Sequence, residues 1–272
     1  MNTETKTTAF SGSIPQNYDE YLGPLLFEAY AIDMARRVGL LQPANVLEVA
    51  CGTGRVTKQL LETLSLKASL VATDINPAML ALAMDKIGKN ERVEWKVADA
   101  VALPFNNETF DCIAAQFGVM FYSDRVKAYQ EAFRVLENGG TFIFNAWDKM
   151  SNNPAIMMVH ELMEEYFPVN PPSFYNIPFS YFDPAVIKAD LTKGGFSDIN
   201  TTVLKVYGYS ANSYDAAKGL LEGTPIHAAI VTHDAELLPE LTETLSCRLA
   251  ELYGASNLSV PLQAVVATAV KK

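Results

Sequence analysis

The chain has 272 residues, 49% of them apolar, and a formal net charge of −10; this suffices for a full core in one large domain, or a core domain with an insertion, and argues against extended disorder. A surface this acidic repels phosphate backbones and anionic lipid, which disfavours nucleic acid and membranes as partners. No apolar run reaches the roughly 18 residues needed to cross a bilayer, and the polar start MNTETKTTAFSGSIPQ lacks the apolar stretch of a secretory signal, so a cytoplasmic protein with a loose leader is expected.

In chain order, the segment NYDEYLGPLLFEAYAIDMARR comes first, with Tyr18, Tyr21, Leu22, Leu25, Leu26 and Tyr30 at helical spacing. Strands are then predicted at Asn45–Ala50, Ala68–Thr73, Arg92–Ala98, Phe110–Phe117 and Thr141–Trp147. Helical periodicity fills the intervals Arg55–Leu66, Pro77–Ile87 and Asp124–Leu136, Pro77 suiting a first turn where its missing N–H is not needed. Gly139-Gly140 is expected to end the last of these helices as a left-handed cap. Near-continuous apolar strands alternating with helices mean a doubly wound, mostly parallel α/β sheet covered on both faces.

After Trp147 the rhythm breaks: one helix, Pro154–Tyr166, is followed by FPVNPPSFYNIPFSYF, rich in proline and aromatics. A helix near Asp183–Lys193, a Gly194-Gly195 stop, a strand near Ile199–Tyr207, helices at about 213–222 and 234–253 and a last strand Gln263–Val270 complete the pattern. The organisation expected is therefore a leader and helix (1–40), a nucleoside-binding core (41–148), a cap insertion (149–181) and a C-terminal completion of the core (182–272). The cysteines Cys51, Cys112 and Cys247 form no Cys-x-x-Cys pair and are expected as buried free thiols. His160, His227 and His233 lack zinc-type spacing, so no metal is expected.

The chemistry centres on the strand NVLEVA running into CGTGRVT and a helix. Glycines at 52 and 54 let backbone turn sharply and pass close to a ligand, and the helix start offers free N–H groups to an anionic end. Asp74 ends the second strand, where a carboxylate can accept hydrogen bonds from ribose hydroxyls. The alternative is a plain tight turn with Asp74 as a helix cap. An NAD fingerprint needs a third glycine at 57, where this chain has threonine, and no Walker loop follows. A ligand with an amino-acid tail fits the loop better than a dinucleotide does.

VLEVACGTGRVT, VATDINPAML, VADAVALPF, FDCIAAQFGVMFYSD and EAFRVLENGGTF resemble, in order, the motifs of class I S-adenosylmethionine-dependent methyltransferases, nearest to the ubiquinone/menaquinone-biosynthesis-type, small-molecule branch. The resemblance covers about 40–150 and more weakly 181–270. It implies the seven-stranded Rossmann-like methyltransferase fold, S-adenosylmethionine as cofactor with S-adenosylhomocysteine as product, and a small-molecule acceptor. By the same resemblance Gly52 and Gly54, with Ala50 and Thr53, would face the methionine part of the cofactor, and Glu48 would orient the loop or the ammonium. Asp74 would hold the ribose hydroxyls, and Ile75 and Met79 would pack on the adenine. Asp99 would accept from the adenine amino group beside Ala100, while Gln116, Phe117 and Phe121 would lie near the transferring methyl. Plain core packing is the alternative for Met79, Phe117 and Phe121.

Two departures are minor. Asn138 stands where the family often has proline. NPPSF at Asn170–Phe174 is similar to an amino-methyltransferase motif but lies beyond the fifth strand, not after the fourth, and reads as an insertion turn. For a general base the candidates are His160, Tyr21 and Tyr175, with Tyr18 and Tyr166 beside them. The aromatic insertion is expected to cover the acceptor site, with a homodimer contact as the alternative. An NAD-type oxidoreductase and a non-catalytic S-adenosylmethionine-binding regulatory protein remain the other functional readings.

Overall fold

The computed structural model describes residues 14–272; of the expected leader MNTETKTTAFSGSIPQ, residues 1–13 lie outside them and Ile14, Pro15 and Gln16 are helical, not loose. A short helix α1 (Ile14–Asn17) continues into a π-helical segment, Tyr18–Phe27, and then α2 (Glu28–Leu40). The expected N-terminal helix is thus present, but its first part is wound to the wider π register, a rare geometry that is frequent at functional sites. Two side-chain-free contacts accompany it: a Cβ on Gly23 would run into the Arg55 guanidinium, and one on Gly208 would strike the Leu25 carbonyl.

The core alternates as the apolar pattern requires: β1 (Asn45–Val49), α3 (Arg55–Thr63), β2 (Ser69–Asp74), α4 (Pro77–Ile87), β3 (Val93–Val97), β4 (Phe110–Gln116), α5 (Arg125–Val135) and β5 (Leu136–Trp147). Then come α6 (Pro154–Tyr166), α7 (Pro184–Lys193), β6 (Asp198–Asn212), α8 (Ser213–Glu222), α9 (Ile226–Asp234), α10 (Leu238–Tyr253) and β7 (Ser256–Val270). The seven strands form one sheet in the order β3-β2-β1-β4-β5-β7-β6. β1 through β5 pair in parallel, and β7 runs antiparallel between β5 and β6. This is the Rossmann-like methyltransferase α/β fold.

Period-two alternation divides the core between the two faces of the sheet. Leu47, Val49, Ile113 and Ala115 pack into the cluster shared with α5, α6 and α8. Their neighbours Val46, Cys112 and Ala114 pack on the other face with Met34, Val38 and Leu60 of α2 and α3. Caps fix the helix starts: Asn76 Oδ1 accepts from the Ala78 N–H at 2.9 Å and Asp124 Oδ1 from the Lys127 N–H at 3.0 Å, each worth about 1 kcal/mol. Among the described residues no helix is long and apolar enough to cross a membrane.

Three expectations need correction. Gly139-Gly140 does not cap α5, which ends at Val135; extended backbone begins at Leu136 and the glycines lie inside β5. Gly139 has φ +85° there, and a Cβ on Gly140 would press on the Glu137 and Asp111 carbonyls, so the pair serves a bend in a strand. Helix α9 was not anticipated, because 223–234 shows no clear apolar stripe and only Ile226 and Ile230 are buried. Cys247 is exposed, unlike Cys51 and Cys112.

Candidate active site

The parallel strands present their carboxyl ends on one side, where ligands bind in such sheets. There the backbone is strained: Ala50 after β1 has φ +58° and Phe117 after β4 has φ +51°. Left-handed non-glycine residues persist only where their surroundings hold them, and they cluster at ligand sites. Phe117 is held by its N–H donating to Asn145 Oδ1 at 2.9 Å and by its ring stacking on Trp147 at 4.0 Å. Gly118 must follow, since a Cβ there would lie 2.6 Å from the Ala50 Cβ.

Between these strand ends opens a cleft of about 200 Å³, several times the roughly 30 Å³ share of one water. Asp74, Ile75 and Met79 line it from the β2–α4 corner, Asp99 and Ala100 from the loop after β3, and Gln116, Phe117 and Phe121 from the end of β4. Ala50 and Gly52 form its floor. Asp74 is buried and braces the turn: Oδ2 accepts the Gly52 N–H and Oδ1 the Asn76 N–H, each at 2.8 Å. The Ile75 N–H is a third backbone donor, which leaves the carboxylate with a lone pair for a ligand hydroxyl. Burial pushes the Asp74 carboxyl up, and the backbone donors counter it. Asp99 Oδ1 accepts from the Val101 N–H at 3.1 Å.

A smaller recess of about 40 Å³ continues from the cleft, lined by Tyr18, Phe27, Glu48, Ala50, Cys51, Gly52, Thr53, Arg55, Val56 and Gln116. Two of these side chains carry buried polar atoms with no partner: Gln116 Oε1, an acceptor, and Arg55 Nε, a donor. The rest of each side chain is tied down. Gln116 Nε2 donates to the Phe27 carbonyl at 3.2 Å, and Arg55 Nη1 to Glu28 Oε2 at 2.5 Å. Glu48 is 1% exposed and accepts from Thr57 Oγ1 at 2.6 Å; burial drives its pKa from 4.5 to about 8. Threonine at the third-glycine position therefore anchors the acid. Thr53 Oγ1 donates to Asp19 Oδ1 at 2.7 Å.

Of the expected cofactor residues, Glu48 and Thr53 line only the recess, and Gly54 lines neither cavity. Gly54 turns into α3 at φ +79°, where a Cβ would press on Ala83 at 2.9 Å, so the glycine is required there by backbone conformation and by helix packing. The base candidates fare differently. His160 sits on α6 beside Glu164 at 3.4 Å, Tyr21 packs under the Lys218 ammonium at 4.8 Å, and Tyr175 donates to the Leu220 carbonyl at 2.7 Å. Tyr166 donates to Glu240 at 2.9 Å. None of these four lines the cleft; Tyr18 does.

From the insertion, Phe174 and Ile177 reach the cleft wall, Phe174 stacking on Phe121 at 6.4 Å. Its other aromatics pack inward, with Tyr175 buried and Phe179 stacked on Trp147 at 5.4 Å. Arg55, Tyr122 and Pro225 also border the cavities without having been expected. Arg55 left a readable signal: a cation in the first turn opposes the helix dipole, which calls for anionic partners nearby. Tyr122 directly follows the expected Phe121 in the same motif and could have been read with it, whereas Pro225 left no signal, since only the fold brings its loop to the cleft.

Comparison with known proteins agrees with this geometry. Residues 3–170 match the ubiE/COQ5 methyltransferase family. A ubiquinone/menaquinone biosynthesis C-methyltransferase of Hahella chejuensis is 32% identical over 130 residues, 47% of this chain and 51% of that protein; the chain spans about half the length of the curated relatives it matches. The YcgJ protein from Bacillus subtilis shares the fold, with a TM-score of 0.58 at 15% identity over 90% of this chain and 99% of its own. So does a Haemonchus contortus phosphoethanolamine N-methyltransferase 2, solved with S-adenosylhomocysteine, with a TM-score of 0.57 at 18% identity over 89% and 53% of the two chains. With residues 3–170, more than half its length, matching that family, the chain belongs to the ubiE/COQ5 methyltransferase family.

Proposed function

We propose that this chain is an S-adenosylmethionine-dependent methyltransferase acting on a small-molecule acceptor. The observation that carries the reading is the pair of unpartnered buried atoms in the recess. An orphan acceptor on Gln116 and an orphan donor on Arg55 complement the ammonium and carboxylate of an α-amino acid, and a buried polar atom left unsatisfied costs about 1–3 kcal/mol. A dinucleotide offers a pyrophosphate at this point and would satisfy the acceptor poorly.

In this reading Asp74 holds the ribose hydroxyls and Asp99 the adenine edge, while Gln116, Glu48 and Arg55 take the amino-acid end. When bound, the cofactor supplies an electrophilic methyl group. The chain supplies orientation and a dry site, through which proximity lowers the barrier. Phe117, Phe121 and Phe174 exclude water from the wall. Tyr18 and Tyr122 are driven well above the ordinary phenol range, chiefly by burial, so at neutral pH they keep their protons and serve as donors. Among the described residues the cleft lining holds no histidine or lysine, and its titratable side chains are Asp74, Asp99, Tyr18 and Tyr122.

The acidic composition supports a small molecule over nucleic acid, and the same reading places the protein in the cytoplasm. The relatives' role in ubiquinone/menaquinone biosynthesis makes an activated ring carbon the first acceptor to try. Calorimetry with S-adenosylmethionine, S-adenosylhomocysteine and NAD tests the cofactor. One site per chain for the first two and none for NAD is expected, and NAD binding at comparable affinity would refute the reading. Transfer of isotope-labelled methyl to an acceptor distinguishes an enzyme from a binding protein, and mass in solution decides between monomer and homodimer.

A further inference from the structure

Adenosine asks for both kinds of hydrogen-bond partner. Its ribose hydroxyls and its amino group donate, while the nitrogens of its purine ring accept. Among the side chains that line the cleft, Asp74, Asp99 and Gln116 present acceptor oxygens. The ring nitrogens call for a donor, and Tyr122 brings one to the same wall. Its hydroxyl makes no hydrogen bond to any described residue.

Local structure holds that hydroxyl over the cleft floor. Tyr122 is extended, between the short 3-10 turn Val119–Phe121 after β4 and Asp124, the cap of α5. Its N–H donates to the Val119 carbonyl at 3.4 Å, and its ring packs against the core cluster that contains Phe117 and Tyr129. A Cβ on Gly118 would stand 3.8 Å from the hydroxyl and 2.6 Å from the Ala50 Cβ. The hydroxyl therefore hangs above the point where the ends of β1 and β4 meet. Burial keeps it protonated, and the charges of both Asp74 and Asp99 act on it. In adenosine the ribose hydroxyls and the amino group bracket the purine ring, and these two carboxylates are the ones assigned to them. A ligand that fills the cleft displaces water, and a hydroxyl then left without a partner costs free energy.

Resting on the cofactor reading above, we propose that Tyr122 recognises the adenine of the cofactor, its hydroxyl donating to a nitrogen of the purine ring. Asp99 then reads the amino donor and Tyr122 a ring acceptor, so the base is selected by two complementary groups from different strand ends. Because the side chain is fixed by its backbone and its packing before the ligand arrives, little ordering cost falls on binding.

The test is calorimetry with S-adenosylhomocysteine and its 1-deaza, 3-deaza and 7-deaza analogues, in each of which a C–H replaces one ring nitrogen. Wild type and Tyr122→Phe are compared. The hydroxyl bonds no described residue, so the variant should keep the wild-type urea midpoint. It should bind S-adenosylhomocysteine about three- to tenfold more weakly. One analogue should lose a similar factor in wild type and nothing further in the variant, which identifies the nitrogen. The other two should lose equally in both proteins. Unchanged S-adenosylhomocysteine affinity in Tyr122→Phe would overturn the proposal. So would a loss in the variant accompanied by equal losses in both proteins for all three analogues, since the hydroxyl would then touch the sugar or the tail. If the wild type binds neither S-adenosylmethionine nor S-adenosylhomocysteine, the cofactor reading itself fails and this proposal goes with it.

Discussion

Glu48 offers the sharpest quantitative test. It lies under the glycine loop, 1% exposed, with the Thr57 hydroxyl at 2.6 Å and a pKa raised from 4.5 to about 8, first by burial and then by the nearby Asp74 charge. Between these two values the folded protein holds a proton that the unfolded chain has released. The folded state therefore binds more protons, and its stability falls as pH rises through this window. Integrating the linkage from pH 6 to pH 8 gives a loss of about 2 kcal/mol from this one residue. Glu48→Gln keeps an acceptor for Thr57 and removes the titration. Urea unfolding of ligand-free protein at pH 6.0, 7.0 and 8.0 measures both proteins, and subtracting the variant's profile removes the contribution of every other group. The variant should gain on the wild type by about 2 kcal/mol over that interval. Parallel profiles would mean that Glu48 ionises normally in the folded state and that its burial is compensated by groups not identified above.

Asp74→Ala should weaken S-adenosylmethionine binding by about tenfold or more, since hydrogen bonds to a carboxylate are worth roughly 1.5–3 kcal/mol each; unchanged affinity by calorimetry would reduce Asp74 to a brace for the Gly52 and Asn76 amides. Arg55→Met should weaken S-adenosylhomocysteine severalfold but leave 5′-methylthioadenosine, which lacks the amino-acid tail, nearly unaffected; equal losses would place Arg55 outside the tail site. Phe174→Ala with Ile177→Ala should raise the acceptor's KM while cofactor affinity stays nearly constant. A larger replacement across 174–179 would instead break the core through Tyr175 and Phe179, so it would not distinguish a cover from a packing element.

Much of the architecture was legible because it rests on local rules. Pro77–Ile87 and Pro154–Tyr166 begin and end where their proline starts and apolar stripes indicate, and β1 through β4 fall within a residue or so of the apolar runs that mark them. The same holds for the cleft residues drawn from β1, β2 and the loop after β3, which lie next to the chain signals that reveal them. β5, β6 and β7 extend well past their predicted ends: the extra parts of β6 and β7 are held by pairing with each other, and β5 begins early at Leu136, which pairs with Phe110 of β4. β6 and β7 remain in continuous antiparallel register from Asp198↔Val270 to Gly208↔Val260 and beyond.

The sequence by itself determined the parallel α/β core, the glycine loop with its acidic partner on the second strand, and the preference for a nucleoside with an amino-acid tail. Each of these is written in neighbouring residues or in a short period, and sterics and solvation act on them locally. Only the tertiary structure decided that Gly54 sits close against Ala83, that Tyr175 and His160 do not line the cleft, and that Tyr18, Arg55 and Gln116 meet in one recess. Gln116 is 98 residues from Tyr18 in the chain. Their juxtaposition depends on which strand ends the sheet order places side by side and on how the N-terminal segment lies across them. Polar atoms so far apart in sequence leave no periodic trace; they become a site only when folding removes water from between them.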